Sequence, residues 1–353
     1  MRVTSMSPGC HLFASQVFAA HFRVRVEYNM TKLHLINRSG LTLHSDLMIA
    51  GAHCAFATNS EQILTSVSRW RCPEQPRSSR TFEMNVLFDA SLPSDRDVMT
   101  QTHFRGLHHL VFATIGAHEV FVFDLLRKQV AGAVSQASAT DAAFWNSYWL
   151  PITVGIMGTT LGAVPVHSAC LDLNGKGLLV AGISGAGKST LSVALTRCGF
   201  SLVSDDWTYL SREADTLIAH GINAPVKLLP DAIQYFPELI GRAPKMWFNG
   251  ELAFEVEPET FSQNGAVLQS RPHWLMFLER TATAGCDFVP CSADDSQAFF
   301  ESAAERLPKQ VPEASSARNH VIQDLASCAA WRVRTGESPQ VTANAIRQFC
   351  ERN

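Results

Sequence analysis

Three stretches follow one another without interruption: Gly177-Leu-Leu-Val-Ala181, Gly182-Ile-Ser-Gly-Ala-Gly-Lys188-Ser189-Thr190 and Leu191-Ser-Val-Ala-Leu-Thr-Arg197. The first is apolar and of strand length, the second is a glycine-rich turn, and the third has the composition of a helix. A strand, a G-x-x-x-x-G-K-[ST] turn and a helix in that order make a phosphate-binding loop. The backbone N–H groups of such a turn converge on a polyphosphate at the positive end of the helix. Gly182, Ser184, Gly185, Ala186, Gly187, Lys188, Ser189 and Thr190 are therefore the expected nucleotide-binding residues. Among them Lys188 is expected to reach the β- and γ-phosphates, and Ser189 to hold Mg²⁺.

On the C-terminal side, Gly199 is expected to stop the helix as a C′ glycine, and Phe200-Ser-Leu-Val-Ser204 reads as a short buried strand ending in Asp205-Asp206. In open α/β sheets ligands sit at the carboxyl ends of strands, and a divalent metal there needs hard oxygen donors. One aspartate is thus expected to bind the metal and the other to take a proton from an incoming hydroxyl. Asp205 is assigned to the metal and Asp206 to the proton, with the reverse assignment open. On the N-terminal side, Val164-Pro-Val-His167-Ser-Ala-Cys170-Leu-Asp-Leu173 reads as one strand that turns at Asn174-Gly175 and returns through 178–181 as a hairpin. His167 then lies near the same edge, although a histidine in an apolar strand is commonly a satisfied core residue.

A histidine in a strand, then G-x-S-G-x-G-K-S-T, a helix ending in glycine, and L-V-S-D-D at these separations resembles the catalytic domain of bacterial HPr kinase/phosphorylase. The shorter HPr-kinase-related proteins are the nearer likeness. The resemblance is specific over residues 163–210 and vaguer beyond. It implies an α/β fold: a P-loop kinase domain of phosphoenolpyruvate carboxykinase/HPr kinase type with a mixed sheet, here preceded by a small β-rich N-terminal domain. It also implies ATP and Mg²⁺ as cofactors and phosphoryl transfer to a serine hydroxyl. Residues 182–190 match the family's nucleotide loop, Asp205 and Asp206 its paired aspartates, and His167 its histidine near the transferred phosphate.

The chain departs from the family further on. Where HPr kinases carry Glu-Ile-Arg-Gly-Leu-Gly, the comparable region is Gly221-Ile-Asn-Ala-Pro-Val-Lys227-Leu-Leu-Pro230, with neither the acidic residue nor the Arg. Lys227 is a candidate replacement for the cation, and Asp231 or Glu238 for the carboxylate. HPr itself is therefore not the expected substrate. An ABC-type ATPase would show L-S-G-G-Q, and a small GTPase would show an Asn-Lys-x-Asp motif; neither is present.

The 353 residues, 46% of them hydrophobic, suffice for one large or two ordinary domains. A formal net charge of −3 without a concentrated basic run gives no electrostatic footprint for nucleic acid. The nine cysteines are scattered, odd in number and without a C-x-x-C pair, which fits neither a zinc site nor a disulfide framework and suits a cytoplasmic protein.

Residues 1–29 are expected to form a disordered extension, 30–138 a β-rich N-terminal domain and 139–353 the P-loop catalytic domain. Lys32-Leu-His-Leu-Ile36 and Phe82-Glu-Met-Asn-Val-Leu-Phe88 read as strands, residues 109–114 and 120–124 as a hairpin across Gly116, and 69–80 as a loop. His103, His108 and His109 lack the spacing of a metal site. Residues 142–166 run for 25 positions without a formal charge, yet Pro151, three glycines and Asn146 argue against a membrane span. A buried helix beneath the catalytic sheet, capped by Asp141, is expected instead. Residues 241–250 read as a mobile active-site loop, 274–278 and 331–334 as strands, and 292–307, 316–328 and 341–351 as helices.

The function these readings combine to is an ATP- and Mg²⁺-dependent serine kinase acting on a peptide or small protein. Asp206, His167 and Lys188 are its catalytic residues, and Ser189 and Asp205 its metal ligands. Nucleic acid and membrane are not expected partners, and the resemblance points to a homo-oligomer. A nucleotide-binding regulatory module without transfer activity, and a small-metabolite kinase, are the alternatives.

Overall fold

In the computed structural model the described residues are 40–72, 79–94, 102–222, 224–247, 250–261, 265–304 and 312–353. The expected extension at 1–29 and the strand at 32–36 lie outside them. The chain divides into two compact units, one built mainly from residues up to Leu161 and the other mainly from Gly162 onward.

The first unit holds strands β1 (Leu43–Ile49), β2 (Ala52–Thr58), β3 (Thr81–Phe88), β4 (Thr102–Leu107), β5 (Leu110–Ile115), β6 (Glu119–Asp124) and β7 (Gln129–Val134). They hydrogen-bond in the order β1-β2-β3-β7-β6-β5-β4. Apolar residues alternate along them, so Phe82, Met84 and Val86 of β3 and Phe121 and Phe123 of β6 are all buried. The uncharged run after this sheet forms a π-helical turn, Phe144–Trp149, followed by an α-helix, Leu150–Thr160. Asp141 caps it as expected, its Oδ1 accepting from Phe144 N at 3.0 Å.

The aromatic start of this run, expected beneath a different sheet, packs within the first unit. Trp149 lies 4.2 Å from the Phe121 ring and 6.0 Å from Phe123, and Trp145 meets Phe56 edge-on, so the run belongs to the aromatic core of the first unit. An uncharged stretch specifies burial, and which sheet it covers is decided by the aromatic partners it meets. Its helix is also shorter than the run, because Gly162 takes a positive φ and 164–166 go on as a strand. Among the described residues no helix is long and apolar enough to cross a membrane.

The second unit contains β8 (Val164–Val166), β9 (Ser168–Leu173), β10 (Lys176–Ala181), β11 (Ser201–Ser204), β12 (Thr208–Glu213), β13 (Thr216–His220), β14 (Val226–Leu228), β15 (Lys245–Met246), β16 (Leu252–Val256), β17 (Gln269–Arg280), β18 (Cys286–Pro290) and β19 (Ala330–Thr335). The main sheet runs β11-β9-β10-β17-β13-β12-β8, with β19 joining β17 and β18 at its side. It is mixed: β10, β17 and β19 are parallel neighbours, while β9 with β10 and β12 with β13 are antiparallel hairpins. A mixed-sheet α/β architecture is thus present.

Strand β10 is apolar throughout because both of its faces are covered. Leu178 and Val180 face a core shared with Leu191 and Leu195 of the Lys188–Arg197 helix and Ile346 of the Pro339–Arg352 helix. Leu179 and Ala181 face the opposite core, with Phe300 from the Ala293–Ala303 helix and Leu325 from the Pro312–Ser327 helix. A three-stranded sheet, β14-β16-β15, adds Val226, Leu228, Phe254 and Val256 to the first of these cores. Residues 245–246 of the expected loop 241–250 are therefore a strand, and 248–249 lie outside the described residues.

Candidate active site

The β9–β10 hairpin turns as expected at Asn174 and Gly175, both at positive φ, which suits the two-residue turn of an antiparallel pair. Ala181 ends β10, and the glycine-rich turn leads directly into the Lys188–Arg197 helix. A Cβ on Gly182 would lie 2.9 Å from the Leu278 carbonyl oxygen, so no side chain fits there. Gly187, at φ 91°, is the residue immediately before the helix, a conformation that other residues adopt at a cost. Lys188 is 7% exposed, with Nζ donating to the carbonyls of Gly182 at 3.1 Å and Ile183 at 3.4 Å. The helix ends at Arg197, and Gly199 takes φ 89°, the C′ conformation expected of it.

The stretch 164–173 is not one strand. It breaks at His167: β8 pairs with β12, whereas β9 pairs with β10 and β11. At the break the His167 imidazole meets the turn that follows β11. His167 Nε2 lies 2.9 Å from Asp206 Oδ1, and its ring is 5.5 Å from that of Trp207.

Strand β11 delivers the aspartates, and a tight turn then separates their environments. Trp207 N donates to the Asp205 carbonyl at 2.8 Å, and Asp206 takes φ 71°, a left-handed conformation that aspartate tolerates better than most residues. The Asp205 carboxylate hydrogen-bonds the Ser189 side chain. Its Oδ1 is buried and has no hydrogen-bond partner among the described residues. The Asp206 side chain is about half exposed and holds His167.

The two carboxyls consequently titrate in opposite directions. Burial pushes Asp205 up to about 7, with the charge of Asp206 adding to it, against the Ser189 hydrogen bond and the charges of Lys188 and Lys227. For Asp206 burial acts upward too, but the hydrogen bond and charge of His167, then Lys227 and Lys188, outweigh it and hold the group below the usual carboxylate range. Asp205 therefore holds its proton the more tightly of the two, and Asp206 stays ionised and able to accept one.

Among the described residues no group of three or more His, Cys, Asp or Glu is placed to enclose a metal. Mg²⁺ does not need such a cage, since it is commonly held by one or two carboxylates together with substrate phosphates. A buried carboxylate oxygen without a partner, beside a hydroxyl at the head of the Lys188–Arg197 helix, fits that mode of binding.

Lys227, on β14, acts electrostatically on both aspartates. Its Nζ lies 3.7 Å from the centroid of the Trp247 ring, a contact that sequence reasoning had no signal for. Of the carboxylates considered as replacements for the family's glutamate, Glu238 is taken up by Arg197, whose guanidinium bonds both of its oxygens. Asp231 lines a cavity of about 110 Å³ that opens against the loop at Gly185, Gly187 and Thr190, with Tyr235 and Arg280 in its wall. Arg242 donates to the Glu238 carbonyl, and Lys245 pairs with Glu255 at 3.8 Å.

No family model matches the chain. Among curated relatives, the HPr kinase/phosphorylase of Halalkalibacterium halodurans is 38% identical over 77 residues, 22% of each chain. That of Bacillus mycoides is 32% identical over 91 residues, 26% of this chain and 27% of the relative. Over the matched residues the chain is HPr kinase-like. The match spans about a quarter of the length of these relatives. The solved HPr(Ser) kinase/phosphatase of Coxiella burnetii aligns with 53% of this chain and 91% of its own, at 16% identity and a TM-score of 0.32.

Proposed function

We propose that this protein is a kinase that transfers the γ-phosphoryl group of ATP to a hydroxyl, with a serine of a peptide or small protein as the acceptor. The observation that carries the reading is the His167–Asp206 contact at 2.9 Å, set beside the Ser189–Asp205 pair at the head of the phosphate-loop helix. The names of the relatives, which pair a kinase activity with a phosphorylase activity, support the reaction class.

In this reading the loop amides and Lys188 hold the β- and γ-phosphates. Ser189 and Asp205 would hold Mg²⁺, which when bound neutralises phosphate charge and orients the reacting group. Asp206, kept ionised by His167, accepts the proton of the incoming hydroxyl, while His167 fixes the direction of that carboxylate. The acceptor oxygen bonds to phosphorus as the bond from phosphorus to the bridging oxygen breaks, and ADP leaves. Little covalent chemistry falls to the protein, so positioning and charge supply most of the rate.

Incubating the purified protein with γ-labelled ATP, Mg²⁺ and candidate peptides, with Lys188→Ala in parallel, tests this. Label on a peptide serine that is absent with the variant is the expected result. ATP binding without transfer to any peptide or to lysate metabolites would favour a nucleotide-binding regulatory module, the reading suggested by the missing Glu and Arg.

A further inference from the structure

Lys227 is held in an unusual way for a lysine beside two carboxylates. It stands in β14 between Val226 and Leu228, which are 2% and 0% exposed in the core shared with the phosphate-loop helix. Its backbone is therefore fixed relative to that helix. Its ammonium rests on the face of Trp247 at 3.7 Å, and an aromatic face positions a cation without cancelling its charge. The carboxylates bearing on it are, in order, Asp206, Asp205, Glu251 and Glu255. Glu255, its cross-strand neighbour on β16, is shared with Lys245. The aspartate pair thus comes first among the carboxylates that act on the charge of Lys227. Lys188 is the other lysine bearing on both aspartates, and its ammonium also donates to the loop carbonyls.

Resting on the kinase reading, we propose that Lys227 is a further catalytic residue, whose ammonium contacts the phosphoryl group as it passes from nucleotide to acceptor. During transfer the acceptor oxygen–phosphorus bond forms, the phosphorus–bridging oxygen bond breaks with its electron pair going to ADP, and the hydroxyl proton passes to Asp206. The charge on the oxygens in flight is met by a fixed cation that bears on the aspartate pair. A preplaced cation stabilises that charge without reorganising during the reaction.

The experiment compares wild type, Lys227→Met and Lys227→Arg, measuring the dissociation constant of Mg²⁺-ATP and the single-turnover rate of γ-phosphoryl loss. Lys227→Met is expected to bind nucleotide within about threefold of wild type and to react roughly 10²–10³-fold more slowly, the range seen when one preorganised charge-stabilising group is removed. Lys227→Arg, which keeps the charge, should recover a measurable part of the rate. If Lys227→Met melts early, Lys227→Gln takes its place in the same measurements. A folded neutral variant with the wild-type rate overturns the inference, and so does a loss shared equally between affinity and rate that Arg does not rescue. A wild-type protein that neither binds Mg²⁺-ATP nor releases its γ-phosphate overturns the kinase reading, and this inference with it.

Discussion

Replacing Asp205 by asparagine tests the electrostatics of the site without any ligand. In the folded protein burial and Asp206 push the Asp205 carboxyl from 3.8 to about 7. Between those two values the native state holds a proton that the unfolded chain has released, so the stability present below about pH 4 is lost progressively as pH rises through 7. At roughly 1.36 kcal/mol per unit the loss is on the order of 4 kcal/mol. Asp205→Asn removes the ionisable group while keeping a hydrogen-bonding side chain next to Ser189. The variant is expected to match wild type near pH 4 and to be more stable by about 4 kcal/mol at pH 8, which is roughly 10 °C in melting temperature for a unit of this size. Urea unfolding of both proteins across this pH range, without nucleotide or metal, measures the difference directly. A gain that does not grow with pH, or a loss at pH 8, would refute the reasoning. The same variant is expected to lose the Mg²⁺-dependent part of its ATP affinity, so that the stabilising change is also the inactivating one.

His167→Ala removes the hydrogen bond and charge that hold Asp206 down. Its carboxyl should rise toward the ordinary range, slowing transfer by roughly 10–100-fold and moving the acidic limb of the pH–rate profile upward; an unmoved limb would exclude the pairing. Gly221→Ala would place a Cβ 1.6 Å from the Val203 carbonyl oxygen on the strand that carries the aspartates. It is expected to cost about 3 kcal/mol or more and to weaken Mg²⁺-ATP binding, as read by denaturation and by nucleotide titration. Trp149→Ala empties a fully buried position against Phe121 and Phe123 and should lower stability by roughly 3–5 kcal/mol, seen as a reduced urea midpoint.

The strand, the glycine-rich turn and the helix after it were legible because each of their requirements is local. An apolar strand, glycines where the backbone takes positive φ or another carbonyl approaches, a lysine and a hydroxyl at the first turn of a helix all fall within 21 consecutive residues, 177–197. Asn174-Gly175 and Gly199 were legible for the same reason, each marking a backbone conformation that few residues adopt cheaply. Asp205 and Asp206 could be picked out together, but not told apart by adjacency alone.

What separated them lies elsewhere in the chain. Ser189 meets one carboxyl and His167 the other, and His167 reaches its position because the strand expected to run through it breaks there, with β8 and β9 pairing to different neighbours. Trp247 under Lys227, Arg197 on Glu238, and Trp149 against the sheet of the first unit are likewise contacts between residues far apart in sequence. The sequence by itself determined the loop, its helix and the chemistry of the groups at the site, since backbone geometry and side-chain type are properties of short segments. Only the tertiary structure decided which strand the histidine leaves, which aspartate is buried and which cation faces the pair, because burial and charge depend on everything that folds around them.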